Sequence, residues 1–168
     1  MGFPLTPDKL IDSVYDLDLD GLAAGGVRLI LADLDNTLAR YGEAKPSPRL
    51  REWAAEVERR GMTLFVLSNG RKPRRSRTFC EGFAPYLSHA SKPHAGSFHK
   101  VMEEYGCTPE ETIMLGDQIF TDIWGGHNAG VRAAIYVRAI ALDSLPRKLR
   151  YGIEAPFRGL CRLRGDKL

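Results

Sequence analysis

Apolar positions along this chain follow two rhythms. Residues 27–32, 62–67, 112–115 and 131–137 are apolar at nearly every step. Short unbroken runs of this kind read as strands buried on both faces. A weaker candidate lies at 86–88. Between the runs the apolar spacing turns helical: Leu50, Trp53, Ala54 and Val57 fall on one face, as do Phe98, Val101, Met102 and Tyr105. Ser47-Pro48 caps the first of these helices and Gly61 follows its end; Gly106 stops the second. A further helix is predicted over about 120–128, and a short helix or turn over 9–14, introduced by Thr6-Pro7. Gly21, Gly25 and Gly26 precede the first strand, the wrong order for a dinucleotide loop, and read as turn glycines. Strands alternating with helices predict βα units in a parallel sheet with helices on both faces. The expectation is an α/β three-layer sandwich around a five-stranded, Rossmann-like parallel sheet.

Composition narrows the setting. A length of 168 residues suits one domain over 1–168, with a core at about 26–138 and a basic amphipathic tail at about 143–168. The formal net charge is only +3, but basic residues crowd into 71–77 and again from Arg147 onward. Such patches suit an anionic partner: nucleic acid, a phosphorylated substrate or an acidic membrane. Cys80, Cys107 and Cys161 are odd in number, widely spaced and without a Cys-x-x-Cys pair, which fits a reducing cytoplasm better than a disulfide framework or a zinc site. The first seven residues show no signal-peptide pattern, and no apolar run reaches the roughly 18 residues of a membrane span.

The candidate chemistry sits just after the strands. Asp33 and Asp35 are two apart, so in extended backbone they point the same way from the carboxyl end of the first run. Two carboxylates so close call for a cation or a shared proton, and a hard, oxygen-seeking ion such as magnesium suits them. Ser68-Asn69 follows the second run, Lys92 precedes a helix, and Asp117 and Asp122 follow the fourth strand. Alone, each has an ordinary explanation: a turn, a solvated lysine, an acid in a helix's first turn. Together they suit phosphoryl transfer: carboxylates for magnesium and for a nucleophile, a hydroxyl and an amide for phosphoryl oxygens, an amine for charge. His89, His94, His99 and His127 show no ligand spacing and read as surface or packing residues. Trp124 reads as a core or edge aromatic.

Asp-Leu-Asp-Asn-Thr-Leu, Leu-Ser-Asn, Lys-Pro and Gly-Asp-Gln-Ile-Phe-Thr-Asp, in that order, resemble the four motifs of the haloacid dehalogenase superfamily. Ser13-Val14-Tyr15-Asp16 and the basic tail are similar to its subclass III branch, which holds the YqeG family and mitochondrial-type phosphatidylglycerophosphate phosphatases. The resemblance implies that Asp33 attacks phosphorus and that Asp35 serves as general acid and then base. It implies Mg2+ held by Asp33, the Asp35 carbonyl and Asp117, with Asp122 acting through water. Ser68 and the Asn69 amide would bind the phosphoryl group, and Lys92 would pair with it and with Asp33. Asn36 replaces a glycine common in relatives, as it does in the YqeG-type branch.

The gaps between motifs hold one helix, then a basic helix and a weak strand, too little for an inserted cap domain. An open site suits a phosphate displayed on something large. In the tail, Leu145, Leu149 and Ile153 fall on one helical face beside Arg147, Lys148 and Arg150. Phe157, Leu160 and Cys161 follow Pro156. This pattern reads as an interfacial anchor on an anionic bilayer, or as a basic tail docked on the domain. The resemblance implies hydrolysis of phosphatidylglycerophosphate, expected of a cytoplasmic enzyme peripheral to the inner membrane face with no nucleic-acid partner. The rivals are a phosphatase for a small sugar phosphate or a macromolecular phosphate, and a non-catalytic phosphate-binding module.

Overall fold

The computed structural model of the chain describes residues 4–70 and 73–165. In order, the elements are β1 (Lys9–Ile11), a 3-10 turn (Val14–Asp16), α1 (Leu19–Ala24), β2 (Leu29–Ala32), α2 (Pro48–Arg59), β3 (Thr63–Ser68), α3 (Pro73–Cys80) and β4 (Tyr86–Ser88). Then follow α4 (Gly96–Glu104), a 3-10 turn (Pro109–Glu111), β5 (Thr112–Gly116), a π turn (Ile119–Ile123), α5 (Trp124–Ala129), β6 (Ala133–Val137), α6 (Leu145–Ile153) and α7 (Ala155–Arg164). The strands form one parallel sheet in the order β1-β6-β5-β2-β3-β4.

All four residues of β2 are buried, because helices cover both faces of the sheet. Ile30 and Ala32 pack with Leu64, Val66 and Leu115 beneath Leu22 of α1 and Leu50, Trp53 and Val57 of α2. The alternate residues, Leu29 and Leu31, join Phe65, Leu67 and Met114 beneath Phe98, Val101 and Met102 of α4. The three layers are those the hydrophobic pattern predicts. No inserted cap domain stands between the elements among the described residues.

The topology fixes where a ligand belongs. From β2 the chain winds outward through β3 to β4, then returns to lay β5 against the other side of β2. The carboxyl end of β2 is therefore the point where the winding reverses, and open α/β sheets hold their ligands in that crevice.

Two expectations are corrected. The sheet has a sixth strand, and it lies where a short helix or turn was predicted over 9–14. Lys9, Leu10 and Ile11 instead pair with Ile135, Tyr136 and Val137 along the edge of β6, and only Val14–Asp16 turns. Three residues carry too little periodicity to reveal this, and the open edge of β6 overrides local preference. The helix predicted from about 120 opens as the π turn and becomes α-helical only at Trp124.

Candidate active site

Three strand ends converge at the crevice. The Asp33 N–H donates to the Leu115 carbonyl at 2.9 Å, which carries the ladder of β2 and β5 one residue past the strand. The chain then doubles back: the Asn36 N–H donates to the Ala39 carbonyl at 2.7 Å, and Asn36 has φ of +67°. Asparagine tolerates this left-handed conformation better than other non-glycine residues, which explains why it can stand in a glycine's place. Asp33 is buried and Asp35 is partly so, both beside the same crevice.

At the end of β3, the buried Ser68 Oγ accepts the Gly70 N–H at 3.0 Å. The Asn69 side chain does something the sequence did not reveal. Its Nδ2 donates to the Lys92 carbonyl and its Oδ1 accepts the Lys92 N–H, both at 2.8 Å. This two-point clamp fixes the backbone that carries the lysine. Lys92 Nζ then donates to Asp33 Oδ1 at 2.7 Å and to the Leu67 carbonyl at 2.6 Å, and lies 2.7 Å from Asp122 Oδ1. Of the three ammonium protons two are in hydrogen bonds, and the Asp122 carboxylate faces the charge as an ion pair. Burial works against the charge on Lys92, but the Asp122 and Asp33 carboxylates more than offset it and raise its pKa.

At the end of β5, Gly116 permits a close approach. A Cβ there would lie 2.2 Å from that of Asp122. The π turn therefore brings Asp122 back against the strand, where its Oδ2 accepts the Gln118 N–H at 3.1 Å. Burial, partly relieved by Lys92, leaves the Asp122 carboxyl raised to about 6. Asp117 is also pushed well above the ordinary carboxylate range, by burial and by the charges of Asp33 and Asp122. Burial also raises Asp35, with Arg75 pulling the other way.

One carboxylate oxygen from each of Asp33, Asp117 and Asp122 lies within 4.8 Å of the others, and all three residues are buried. Asp33 Oδ2 has no hydrogen-bond donor among the described residues. Crowded acids whose neutral forms are favoured, with an unused oxygen among them, fit a hard divalent cation such as Mg2+. Asp35 is not in this trio; the resemblance gives it a metal role only through its backbone carbonyl. Asp122 was expected to act through water; among the described residues it meets Lys92 and the Gln118 amide.

A cavity of about 220 Å³ opens over these groups. Asp33, Asp35, Ser68 and Asn69 line it, and so do Arg147 and Arg150 of α6. Arg150 Nη2 is 3.5 Å from Asp117 Oδ2, and Arg75 of α3 pairs with Asp35. Glu154, fully buried just past α6, accepts the Ile119 N–H at 2.9 Å and ties the tail to the π turn. Of the basic run at 71–77, Arg75 reaches the site, while Arg71 and Lys72 lie outside the described residues. The histidines take no part: His99 meets the Ala129 carbonyl, and His127 meets Asp8 and the Pro4 carbonyl.

Known proteins point the same way. The chain is 28% identical over 149 residues to the probable phosphatase YqeG of Bacillus subtilis, covering 88% of this chain and 86% of that protein. It is 26% identical over 150 residues to the chloroplastic phosphatidylglycerophosphate phosphatase 1 of Chlamydomonas reinhardtii, covering 83% of this chain but only 55% of the algal protein. Among solved structures, an uncharacterized protein from Corynebacterium glutamicum superposes with a TM-score of 0.54 at 19% identity, over 77% of this chain and 96% of that one, a likeness of fold. The model of the haloacid dehalogenase-like hydrolases matches residues 8–130, from the edge strand to the end of α5, and the chain belongs to that family.

Proposed function

We propose that this protein is a Mg2+-dependent phosphomonoester hydrolase that converts phosphatidylglycerophosphate to phosphatidylglycerol at an anionic membrane surface. The observation that carries the hydrolase reading is Asp33. One oxygen of its carboxylate is held by Lys92, the other has no donor among the described residues, and both sit at the reversal point of the sheet. In the proposed reaction Asp33 attacks phosphorus, the ester P–O bond breaks, and Asp35 gives its proton to the leaving oxygen. Asp35 then takes a proton from water, whose oxygen attacks the aspartyl-phosphate and releases inorganic phosphate, restoring Asp33. The raised pKa of Asp35 suits an acid that must hold a proton first. Ser68 and the Asn69 amide take phosphoryl oxygens, and Lys92 neutralises and orients Asp33. Mg2+, held by Asp33, Asp117, Asp122 and the Asp35 carbonyl, would supply charge stabilisation for the phosphoryl oxygens.

The lipid assignment is supported by α6. On an ordinary surface helix the apolar face turns inward. Here Arg147 and Arg150 turn toward the cavity, while Leu145, Leu149 and Ile153 are 79%, 64% and 56% exposed. Leu163 of α7 is 86% exposed, and Lys148 stands among the leucines. An outward apolar stripe with cations, beside the mouth of an uncapped cleft, suits insertion at the level of anionic headgroups. No described helix is long and apolar enough to cross a membrane. The name of the algal relative favours the same substrate.

The test is phosphate release from phosphatidylglycerophosphate in Mg2+-containing mixed micelles, beside soluble sugar phosphates and nucleotides. The lipid should be the best substrate, and the protein should float with anionic liposomes. Leu145→Ser/Leu149→Ser should stay in the soluble fraction. Much faster turnover of soluble phosphates, or flotation unaffected by the double substitution, would remove the lipid assignment.

A further inference from the structure

We infer that α6, with Arg75 and Tyr41, forms a second anion subsite that recognises a negatively charged phosphoryl group on the substrate, separate from the one being hydrolysed. The inference rests on the hydrolase reading above and adds a feature the four motifs do not contain. Three guanidinium groups from two distant segments meet at the mouth of the catalytic cavity. Arg75 and Arg147 both lie over the Tyr41 ring, with centroid distances of 5.5 Å and 4.3 Å. Arg147 and Arg150 line the cavity itself, one helical turn apart on the same face of α6.

Their pairing separates their roles. Arg75 is matched by Asp35 and Arg150 by Asp117, so part of each charge is already used. Arg147 has no carboxylate partner among the described residues; its guanidinium is held by the aromatic face of Tyr41. The Nε groups of Arg75 and Arg150 are buried and have no hydrogen-bond acceptor among the described residues. Neither has surface open to the cleft, so a ligand there would meet these side chains through their terminal nitrogens. The hydrolysed phosphoryl group has its own partners in Ser68, the Asn69 amide and Lys92. The arginines are thus left for what lies beyond the ester oxygen. A planar guanidinium matches phosphate oxygens two at a time, which suits a phosphodiester or a second phosphate rather than a neutral alcohol.

The experiment compares substrates with one and with two phosphoryl groups, free and on lipid: glycerol 3-phosphate, glycerol bisphosphate, phosphatidic acid and phosphatidylglycerophosphate. The readout is the ratio of kcat/KM for the member of each pair with two phosphoryl groups to that for the member with one. Arg147→Gln should lower this ratio about tenfold, chiefly through KM, as expected for one lost charge-assisted contact. Arg147→Lys should recover part of it. A loss shared by both pairs assigns recognition to the second phosphoryl group in any setting, and a loss in the lipid pair alone assigns it to the headgroup. An unchanged ratio in both pairs overturns the inference, as does an equal loss on all four compounds. Calorimetric binding of the two glycerol phosphates to Asp33→Asn protein, with and without Arg147→Gln, reads the same preference without turnover. An inert wild type that still prefers the bisphosphate would fault the hydrolase reading and leave the subsite standing.

Discussion

Lys92 is the residue through which the site's charges are balanced. Its side chain is 1% exposed and lies between two carboxylates that are themselves buried. Replacing it with methionine keeps the volume and strands those charges, so Lys92→Met should cost about 3 kcal/mol, within the range for breaking one side of a buried pair. Adding Asp122→Asn should return part of that loss, because the two sites share one interaction. Thermal melts without added metal measure both, and a Lys92→Met protein as stable as wild type would contradict the balance described here. At this scale the sequence was informative where motif and strand end coincide, as at Asp33, Ser68 and Asp117. It was silent on the Asn69 clamp and on Arg75, since both depend on side-chain directions set by loops. Arg75 stood out only as one of several cations in a row.

The elements differ in how much local pattern they carry. β2, β3, β5 and β6 are buried on both faces and announce themselves as apolar runs. β1 does not, because a three-residue strand exists only through its partner β6. For the tail, the periodicity offered two readings, and the structure bears on the docked one. α7 docks, burying Cys161 and setting Phe157 edge-on to Phe120 at 5.8 Å, whereas α6 leaves its apolar stripe outward. Glu154 joins these helices to the active-site turn, and its titration tests that joint. Burial raises its pKa, only partly countered by the Ile119 amide, Arg150 and Arg158. The folded protein then binds this proton more tightly than the unfolded chain does. The contribution to stability is full below the ordinary carboxylate pKa and is lost as pH rises above it. Glu154→Gln cannot ionise, so its melting temperature relative to wild type should climb as pH rises above the ordinary glutamate pKa of about 4.3. A difference that stays flat or falls with pH would show that the carboxylate carries no such penalty.

Across the whole molecule, the carboxyl edge of the sheet and the tail are one structure. The motifs lie within the first 122 residues, yet α6 walls the cavity and Glu154 holds the turn that carries Asp122. Ending the chain after Asp143 would bare Tyr136 and Ile119, both buried in the third hydrophobic cluster with Phe157 and Tyr151 beside it. Such a truncation should lower the melting temperature by at least about 5 °C, the shift for roughly 1–2 kcal/mol in a domain of this size. An unchanged melt would mean that the tail is an appendage. The most direct test of the account concerns Asp33 alone. Phosphate release from p-nitrophenyl phosphate, with Mg2+ and with EDTA, should be seen in the wild type only with the cation. It should fall at least about a thousandfold in Asp33→Asn, as expected when a covalent nucleophile is removed, with the melting curve retained. An Asp33→Asn protein that still turns over at the wild-type rate would contradict the mechanism.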